Sequence, residues 1–274
     1  MTRLATFLAL MLGPFSSAET LEIKLLSMPG GMHKGKKVSI PIERFCIKDG
    51  KKHPVVILIP ESKSLNAVGK TYRAVASKIA QDGYLVFLVD FLWRTGHEKI
   101  GAPAQNEINE KTFRAWLKTI HDVVPLALKD ERAKGKKVGL LGFSLGAFLG
   151  LSLPVEHPDL PIGAVVELFG GLPNELWPKA IKLKKYPPTL VVHGFDDEIV
   201  SVKEAYSLRS LFEEKKIPHK VSLIKTTHLF GRELKALAEF LKKGKLDLAS
   251  LIFKAPNVAR SYTQTRVHFA KYLK

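Results

Sequence analysis

The sequence Lys137-Val-Gly-Leu-Leu141, followed directly by Gly142-Phe-Ser-Leu-Gly146, places a serine between two glycines at the end of an apolar run. This pattern is typical of a nucleophile on a sharp turn between a strand and a helix. Ser144 must then adopt a sparsely allowed backbone conformation, and a side chain at position 142 or 146 would collide with the neighbouring strand or helix. The apolar sequence Ala147-Phe-Leu-Gly-Leu151 predicts a buried helix after the turn. The stretch therefore predicts an elbow that presents the Ser144 hydroxyl, with a purely structural turn as the alternative.

Two further segments supply an acid and a base in the order nucleophile, acid, histidine, which favours the catalytic interpretation. The β-branched strand in residues 189–200 ends in an acidic loop, where Asp197 is the candidate acid. The strand-like residues 219–225 are followed by Thr226-Thr-His-Leu-Phe230, where His228 is the candidate base. A serine hydroxyl needs an imidazole to take its proton, and the imidazole needs a carboxylate on its other nitrogen. Together these residues predict a Ser-Asp-His triad.

Two alternatives stand beside these assignments. Adjacent loop residues point in opposite directions, so Asp196 is the alternative acid, although the spacing Gly194-x-x-Asp197-x-x-Val200 favours Asp197. His193 lies on the strand itself, where a histidine is more often a core residue than a catalytic one. The other histidines have no nucleophile near them in the sequence and are expected to be structural or exposed: His33, His53, His97, His121, His157, His219 and His268.

Strand-like and helix-like segments alternate along the chain. This alternation predicts a mostly parallel sheet with helices on both faces. In such sheets, ligands bind beyond the carboxyl ends of the strands, where Ser144, Asp197 and His228 all fall. The predicted strands cover 21–28, 37–45, 54–60, 84–89, 137–141, 164–168, 189–194 and 219–225, and the predicted helices cover 72–80, 107–128 and 202–214.

The Ser-Asp-His order and three longer segments together resemble the dienelactone hydrolases of the α/β-hydrolase superfamily. The segments are Leu168-Phe-Gly-Gly-Leu-Pro173, Val89-Asp-Phe-Leu-Trp-Arg94 and the helical tail 259–273. The resemblance runs from about residue 35 to the C-terminus and implies an α/β-hydrolase fold with esterase-type chemistry. Family members that act on dienelactone carry a cysteine in the elbow, whereas this chain has Ser144. The resemblance therefore supports the fold and acyl chemistry better than it supports that substrate.

The same resemblance implies an oxyanion hole. Its donors would be the backbone N–H of Leu145 and, from the loop after the third strand, that of Ser62. Glu61 falls where the family has a glutamate that contacts the elbow, so we expect it to hydrogen-bond the resting nucleophile. A solvated loop charge is the alternative for Glu61. Pro60 and the absence of a His-Gly pair make this loop atypical of esterases in general.

The N-terminus has the three parts of a secretory signal peptide: a positive start through Arg3, an apolar stretch over residues 4–15, and small residues ending at Ala18. We therefore expect cleavage after Ala18 and a secreted or periplasmic protein, with an amphipathic helix or uncleaved anchor as the alternative. The apolar stretch is shorter than the about 20 residues that span a bilayer, so the mature chain is expected to have no transmembrane segment. Residues 19–274 are expected to form one domain, in which 231–258 depart from the family pattern as an insertion that caps the pocket or packs on one edge.

The composition is strongly basic, with a formal net charge of +17 over 274 residues and a single cysteine, Cys46. Stability must come from the apolar core, because one cysteine cannot form an intramolecular disulfide. The positive charge is compatible with an acidic substrate, with attraction to an anionic envelope surface, or with simple solubility. The absence of aromatic residues between the lysines argues against nucleic acid. Lysine pairs begin at positions 36, 51, 136, 184, 215 and 242, scattered over several turns and helix ends.

The sequence therefore predicts a secreted serine hydrolase that cleaves a small ester or a related acyl bond. No metal or organic cofactor is expected, because the sequence has neither a phosphate-binding glycine loop nor a cluster of cysteine and histidine ligands. A peptidase or a thioesterase on the same fold is the alternative among enzymes. A non-catalytic protein that binds envelope polymer is the alternative outside them, although such a protein has no reason to keep all three of Ser144, Asp197 and His228.

Overall fold

The computed structural model describes residues 20–104, 107–233 and 253–273, and these contain one eight-stranded sheet. The strands are β1 (Leu21–His33), β2 (Lys36–Ile47), β3 (His53–Ile59), β4 (Leu85–Val89), β5 (Ala133–Phe143), β6 (Ile162–Leu168), β7 (Thr189–Gly194) and β8 (His219–Ile224). Their order across the sheet is β1-β2-β4-β3-β5-β6-β7-β8.

Strands β3 to β8 are all parallel, and among the described strands only β2 runs the other way. β2 pairs antiparallel with β4, and β1 pairs antiparallel with β2. The parallel strands are buried on both faces, which is why their sequences are almost continuously apolar instead of alternating. The predicted mostly parallel sheet is confirmed.

Helices cover both faces of the sheet and divide the core into two clusters. The helices are α1 (Leu65–Gln81), α2 (Glu110–Leu128), α3 (Leu145–Glu156), α4 (Trp177–Ala180), α5 (Lys203–Glu214) and α6 (Pro256–Tyr272), and the 3₁₀ turns are Phe91–Thr95, Asn174–Leu176 and His228–Phe230.

Side chains that alternate along one strand belong to different clusters. Along β3, Val55 and Ile57 pack into a cluster with α2, α3 and α5, whereas Val56 and Leu58 pack into a cluster with α1 and α6. This alternation follows from the two-residue period of a strand.

Side-chain caps explain where two helices differ from the predicted bounds. α1 begins at residue 65 instead of 72, because the Ser64 hydroxyl accepts a hydrogen bond from the Asn66 N–H at 3.1 Å. α2 begins at residue 110 instead of 107, because the Asn109 side chain accepts one from the Thr112 N–H at 2.9 Å. Apolar periodicity locates a buried face, whereas a cap residue fixes the first turn.

Two predicted segments lie largely or wholly outside the described residues. These are the leader over residues 1–18 and most of the predicted insertion at 231–258, of which 231–233 and 253–258 are described. Among the residues that the structure does describe, no helix is both long and apolar enough to cross a membrane.

Candidate active site

Ser144 occupies a sharp turn between β5 and α3. Its backbone has φ 51° and ψ −118°, a conformation that L-residues rarely adopt. A Cβ at Gly142 would lie 2.3 Å from the Gly146 carbonyl oxygen, and a Cβ at Gly146 would lie 2.3 Å from the carbonyl oxygens of Ile59 and Pro60. Glycine is therefore required at both positions, for the steric reason expected from the sequence.

The side chains of Ser144, His228 and Asp197 form one hydrogen-bonded chain. His228 Nε2 lies 2.9 Å from Ser144 Oγ, and His228 Nδ1 lies 2.8 Å from Asp197 Oδ2. Each residue follows the carboxyl end of a different parallel strand, β5, β8 and β7 respectively, so the sheet brings together groups up to 84 residues apart. An ionised carboxylate only accepts hydrogen bonds, so Nδ1 is the nitrogen that donates to Asp197, which leaves Nε2 free to accept the serine proton.

The Asp197 carboxylate is buried and held on both oxygens. Oδ1 accepts hydrogen bonds from the N–H groups of Ile199 and Val200, each at 2.9 Å, while Oδ2 faces His228. Burial raises the pKa of Asp197, but the hydrogen bonds from His228 and from the two amides outweigh burial, so the pKa lies below its ordinary value. The carboxylate is therefore ionised at neutral pH.

Asp196 and His193, two polar residues near Asp197 in the sequence, do not share its contact with His228. The Asp196 side chain is 41% exposed and pairs with Arg232 at 3.0 Å, so it faces away from His228. His193 is fully buried on β7, where its Nε2 lies 2.9 Å from the Val200 carbonyl oxygen. Burial lowers the pKa of His193, which keeps its imidazole neutral. Of the two candidate acids, the structure places Asp197 against His228.

Aromatic packing and strained backbone hold the histidine loop. Leu229 and Phe230, which directly follow His228, both have positive φ angles, of 49° and 57°. Phe169, at the end of β6, has φ 60°, and its ring packs edge-on against His228 and Phe230 at centroid distances of 5.8 and 4.8 Å. Such strain persists only where the surroundings enforce it. The segment 168–173 was noted in the sequence, but nothing there indicates that Phe169 contacts the histidine.

A second carboxyl group, Glu167, lies buried behind the elbow and was missed in the sequence. It has no exposed surface, and its Oε2 accepts a hydrogen bond from the Gly170 N–H at 2.8 Å. Its Oε1 has no hydrogen-bond partner among the described residues. Burial raises the pKa of Glu167 to about 8, so the group is protonated at neutral pH. The one indication of this buried acid in the sequence was a glutamate inside the otherwise apolar strand Ala164-Val-Val-Glu-Leu168.

The two predicted oxyanion donors lie at the same cleft. Leu145 is the first residue of α3, where backbone N–H groups have no partner within the helix. Ser62 lines the cleft together with Ser144 and Leu145. The Gly146 backbone packs directly against the start of the loop that carries Ser62, and the Ser62 carbonyl accepts a hydrogen bond from the Ala102 N–H at 2.7 Å. The loop is thus fixed beside the elbow.

Glu61 does not make the expected hydrogen bond to the resting nucleophile. Within the described part of the chain its carboxylate has no hydrogen bond to Ser144, because the serine hydroxyl is already bonded to His228. The side chain instead lines a separate apolar cavity, and the Glu61 backbone N–H donates to the Tyr72 hydroxyl at 3.3 Å. Burial raises the pKa of Glu61. The charges of Lys63 and His228 oppose this rise, so the Glu61 carboxyl group lies within electrostatic reach of the histidine without bonding to Ser144.

The cleft at Ser144 has a volume of about 540 Å³ and a mainly apolar wall. Among its described lining residues the charged ones are acidic, Glu110 and Glu175, and none is a lysine, arginine or histidine. Glu110 pairs with Arg114 at 2.7 Å, whereas Glu175 is exposed and has no ion-pair partner among the described residues. The apolar lining consists of Ala102, Pro103, Ala104, Ile108, Phe113, Leu145, Phe148, Pro173, Ile199 and Val200.

The model of the dienelactone hydrolase family matches residues 44–247, which is most of the chain and includes all three hydrogen-bonded residues. The chain belongs to the dienelactone hydrolase family. Its members are hydrolases of the α/β-hydrolase fold, in agreement with the sheet, the elbow and the strand-end site. A search of curated proteins finds no match to the chain.

Solved structures of dienelactone hydrolases share this fold over almost the whole chain. A dienelactone hydrolase-like promiscuous phosphotriesterase from metagenomic libraries is 20% identical, with a TM-score of 0.68, covering 93% of this chain and 99% of its own. A dienelactone hydrolase from Anabaena variabilis is 16% identical, with a TM-score of 0.62, covering 92% of this chain and 99% of its own. At these identities the similarity shows the fold and leaves the substrate open.

Proposed function

We propose that this chain is a serine hydrolase that cleaves small, uncharged esters, with Ser144 as nucleophile, His228 as base and Asp197 as the acid that orients the imidazole. The observation that carries the proposal is the continuous chain of hydrogen bonds from Asp197 Oδ2 through His228 to Ser144 Oγ, at 2.8 and 2.9 Å. Family membership supports hydrolase chemistry independently.

In the acylation step, His228 Nε2 takes the proton from Ser144 Oγ as the oxygen bonds to the ester carbonyl carbon. The carbonyl oxygen becomes negatively charged and receives hydrogen bonds from the backbone N–H groups of Leu145 and Ser62. The intermediate then collapses: the bond between the carbonyl carbon and the alcohol oxygen breaks, and His228 returns its proton to the alcohol. The products are an acyl-Ser144 ester and a free alcohol.

In the deacylation step, water replaces the alcohol. His228 removes a proton from the water as its oxygen bonds to the acyl carbon, and the bond to Ser144 Oγ breaks as His228 donates that proton to the serine. Asp197 stays ionised throughout, which is consistent with its lowered pKa. The carboxylate stabilises the imidazolium that forms in each half of the reaction.

The lining of the cleft favours an uncharged acyl group over the acidic substrate that the net charge suggested. A carboxylate on the substrate would lose water against an apolar wall and find no basic side chain among the described lining residues. It would also approach the carboxylate of Glu175, which has no ion-pair partner in the described part of the chain. Among the described lining residues, the strong positive charge of the chain is therefore not represented in this cleft.

Matched p-nitrophenyl esters test the proposal. We expect p-nitrophenyl butyrate to be hydrolysed with a kcat/KM on the order of tenfold or more above that of the p-nitrophenyl hemisuccinate, which carries a carboxylate. Ser144→Ala should abolish both activities. Equal rates for the two esters would contradict the substrate class alone, whereas activity that survives Ser144→Ala would contradict the mechanism. The matching thioester and anilide distinguish an esterase from a thioesterase or a peptidase.

The proposal includes export, for which the N-terminal sequence is the support. Mass spectrometry of the protein recovered from its native host should find a chain that begins at Glu19. An intact Met1 to Lys274 chain confined to the cytosol would contradict export without affecting the catalytic proposal.

A further inference from the structure

Lysines that are far apart in the sequence lie on the edge of the sheet opposite the active site. Because β3 to β8 are parallel, all their amino ends meet at one edge, and the loops before β3, β7 and β8 each carry a lysine pair, as does the start of β5. We call this edge the basic face, and define it by these exposed residues: Lys51, Lys52, Lys134, Lys136, Lys137, Lys184, Lys185, Lys216, Lys220 and Lys271.

The start of β5 is irregular in the strand ladder. Lys134 pairs with Pro54 of β3, but the next pair in the ladder joins Val138 to Val55, so residues 135–137 bulge out of the sheet. Lys136 and Lys137 are therefore held at the edge by a fixed irregularity of the backbone. Both side chains are exposed.

A surface hollow of about 310 Å³ lies at one end of the basic face. Lys220 and Lys271 both line it, together with the exposed apolar side chain of Val267 and the ring of Tyr272. Two lysines beside an exposed apolar side chain and an aromatic ring suit an anionic headgroup attached to a hydrocarbon chain. This hollow lies beside α6 and is separate from the cleft at Ser144.

Few of these charges are neutralised within the protein. Among the described residues, none of the lysines of the basic face has an ion-pair partner, in contrast to Arg44, Arg94 and Arg132, which are bound to carboxylates. The sheet strands are spaced about 4.8 Å apart, so the four intervals from β3 to β8 give the face an extent of about 19 Å. The face is wide and rich in lysines without ion-pair partners among the described residues, although exposed carboxylates also lie at this edge: Glu131, Asp159, Glu213 and Glu214.

We propose that the basic face docks this protein on an anionic lipid surface, with the cleft at Ser144 turned toward the aqueous phase. Flexible lysine ammonium groups suit mobile lipid headgroups, whereas the rigid array of phosphates in nucleic acid favours the guanidinium fork, which the basic face lacks. Each lysine near an anionic membrane contributes about 1 kcal/mol of binding. Since the docked edge is opposite the active site, a bound molecule keeps access to soluble esters.

The sequence itself supplies a matched control for a test. The tetrapeptide Lys-Gly-Lys-Lys occurs twice, at 134–137 on the basic face and at 34–37 in the turn between β1 and β2. β2 is antiparallel to β4, so the second copy lies at the carboxyl ends of the parallel strands, on the side of the active site. All three lysines of each copy are exposed. Replacing either set by glutamine removes the same charge from different faces.

Sedimentation of the full chain with vesicles tests the proposal. We expect binding to vesicles of phosphatidylcholine with 30% phosphatidylglycerol, no binding to phosphatidylcholine alone, and weaker binding as salt increases. The change of Lys134, Lys136 and Lys137 to glutamine should weaken binding on the order of 100-fold. The same change at 34–37 should weaken it by less than about fivefold. Hydrolysis of a soluble ester by vesicle-bound wild type should remain within about twofold of the free rate, provided that the ester is a substrate.

Several outcomes would overturn the proposal. An equal loss of vesicle binding in the two triple variants would mean that net charge or another part of the chain causes the binding. Equal binding to neutral vesicles would exclude an electrostatic surface. Failure to bind anionic vesicles, together with binding of duplex DNA that the change at 134–137 abolishes, would assign the face to nucleic acid. None of these results depends on catalysis, so they leave the proposed function untouched.

Discussion

Replacing Glu167 by glutamine tests the buried carboxyl group behind the elbow, because glutamine has the shape of the protonated acid without its titrating proton. Burial raises the pKa of Glu167 in the folded protein from its ordinary value of 4.5 to about 8. Between these pH values the folded protein keeps a proton that the unfolded chain has lost. The free energy of unfolding must therefore fall as the pH rises through this interval.

The expected size of this fall follows from the pKa difference. At about 1.4 kcal/mol per pH unit, Glu167 destabilises the folded protein by about 5 kcal/mol over the full interval, and most of this loss occurs between pH 5 and 8. Glutamine removes the contribution. The free energy of unfolding of Glu167→Gln, relative to wild type, should therefore increase steadily with pH.

Urea denaturation followed by circular dichroism at several pH values between 5 and 8 measures the effect. The observable is the difference in slope between variant and wild type, because other ionisable groups contribute equally to both. Glu131→Gln, a change at an exposed glutamate, is the matched control and should keep the wild-type slope. If Glu167→Gln also keeps the wild-type slope, Glu167 is not protonated in the folded protein and the argument from burial is wrong.

Three further predictions concern the site. Asp197→Asn should lower kcat by a factor on the order of 10⁴, because asparagine favours the wrong histidine tautomer. Asp196→Asn should lower kcat by less than about tenfold. If Asp196→Asn had the larger effect, Asp196 and not Asp197 would be the acid of the triad. Gly146→Ala should lower stability by about 3 kcal/mol or more in thermal melts, since its Cβ would lie 2.3 Å from two carbonyl oxygens. The control Gly150→Ala, whose Cβ would meet only a side-chain carbon at 3.7 Å, should be neutral or stabilising. Glu175→Gln should raise kcat/KM for the hemisuccinate ester relative to the butyrate ester, and an unchanged ratio would remove Glu175 from substrate selection.

The fold and the sharp turn at Ser144 were predictable because each depends on local sequence. A buried parallel strand requires an apolar run, and the elbow requires glycine at positions 142 and 146, so both leave a pattern that any single sequence displays. The helix starts were less predictable, since the caps at Ser64 and Asn109 lie outside the apolar periodicity.

Features that depend on distant parts of the chain were not predictable. The Phe169 ring contacts His228 only because β6 and β8 end at the same edge of the sheet. The positive φ angles at Leu229 and Phe230 were not predictable either, because leucine and phenylalanine normally avoid this conformation and nothing in the sequence marks the exception. The lysine pairs appeared scattered because the segments that carry them are far apart along the chain, whereas the strand order brings four of these pairs to one edge of the sheet. Glu61 was expected to contact the nucleophile, but its direction depends on the packing of its loop against Tyr72.

Labelling with a fluorophosphonate probe tests the central claim most directly, because it requires an activated serine and no knowledge of the substrate. The hydrogen bond from Ser144 Oγ to His228 and the amides at Leu145 and Ser62 predict one probe per chain, attached to Ser144 and identified by peptide mass spectrometry. Ser144→Ala should fold with an unchanged circular dichroism spectrum and take up no probe. A folded wild-type protein that refuses the probe, or that carries it on another residue, would contradict the assignment of Ser144 as the nucleophile.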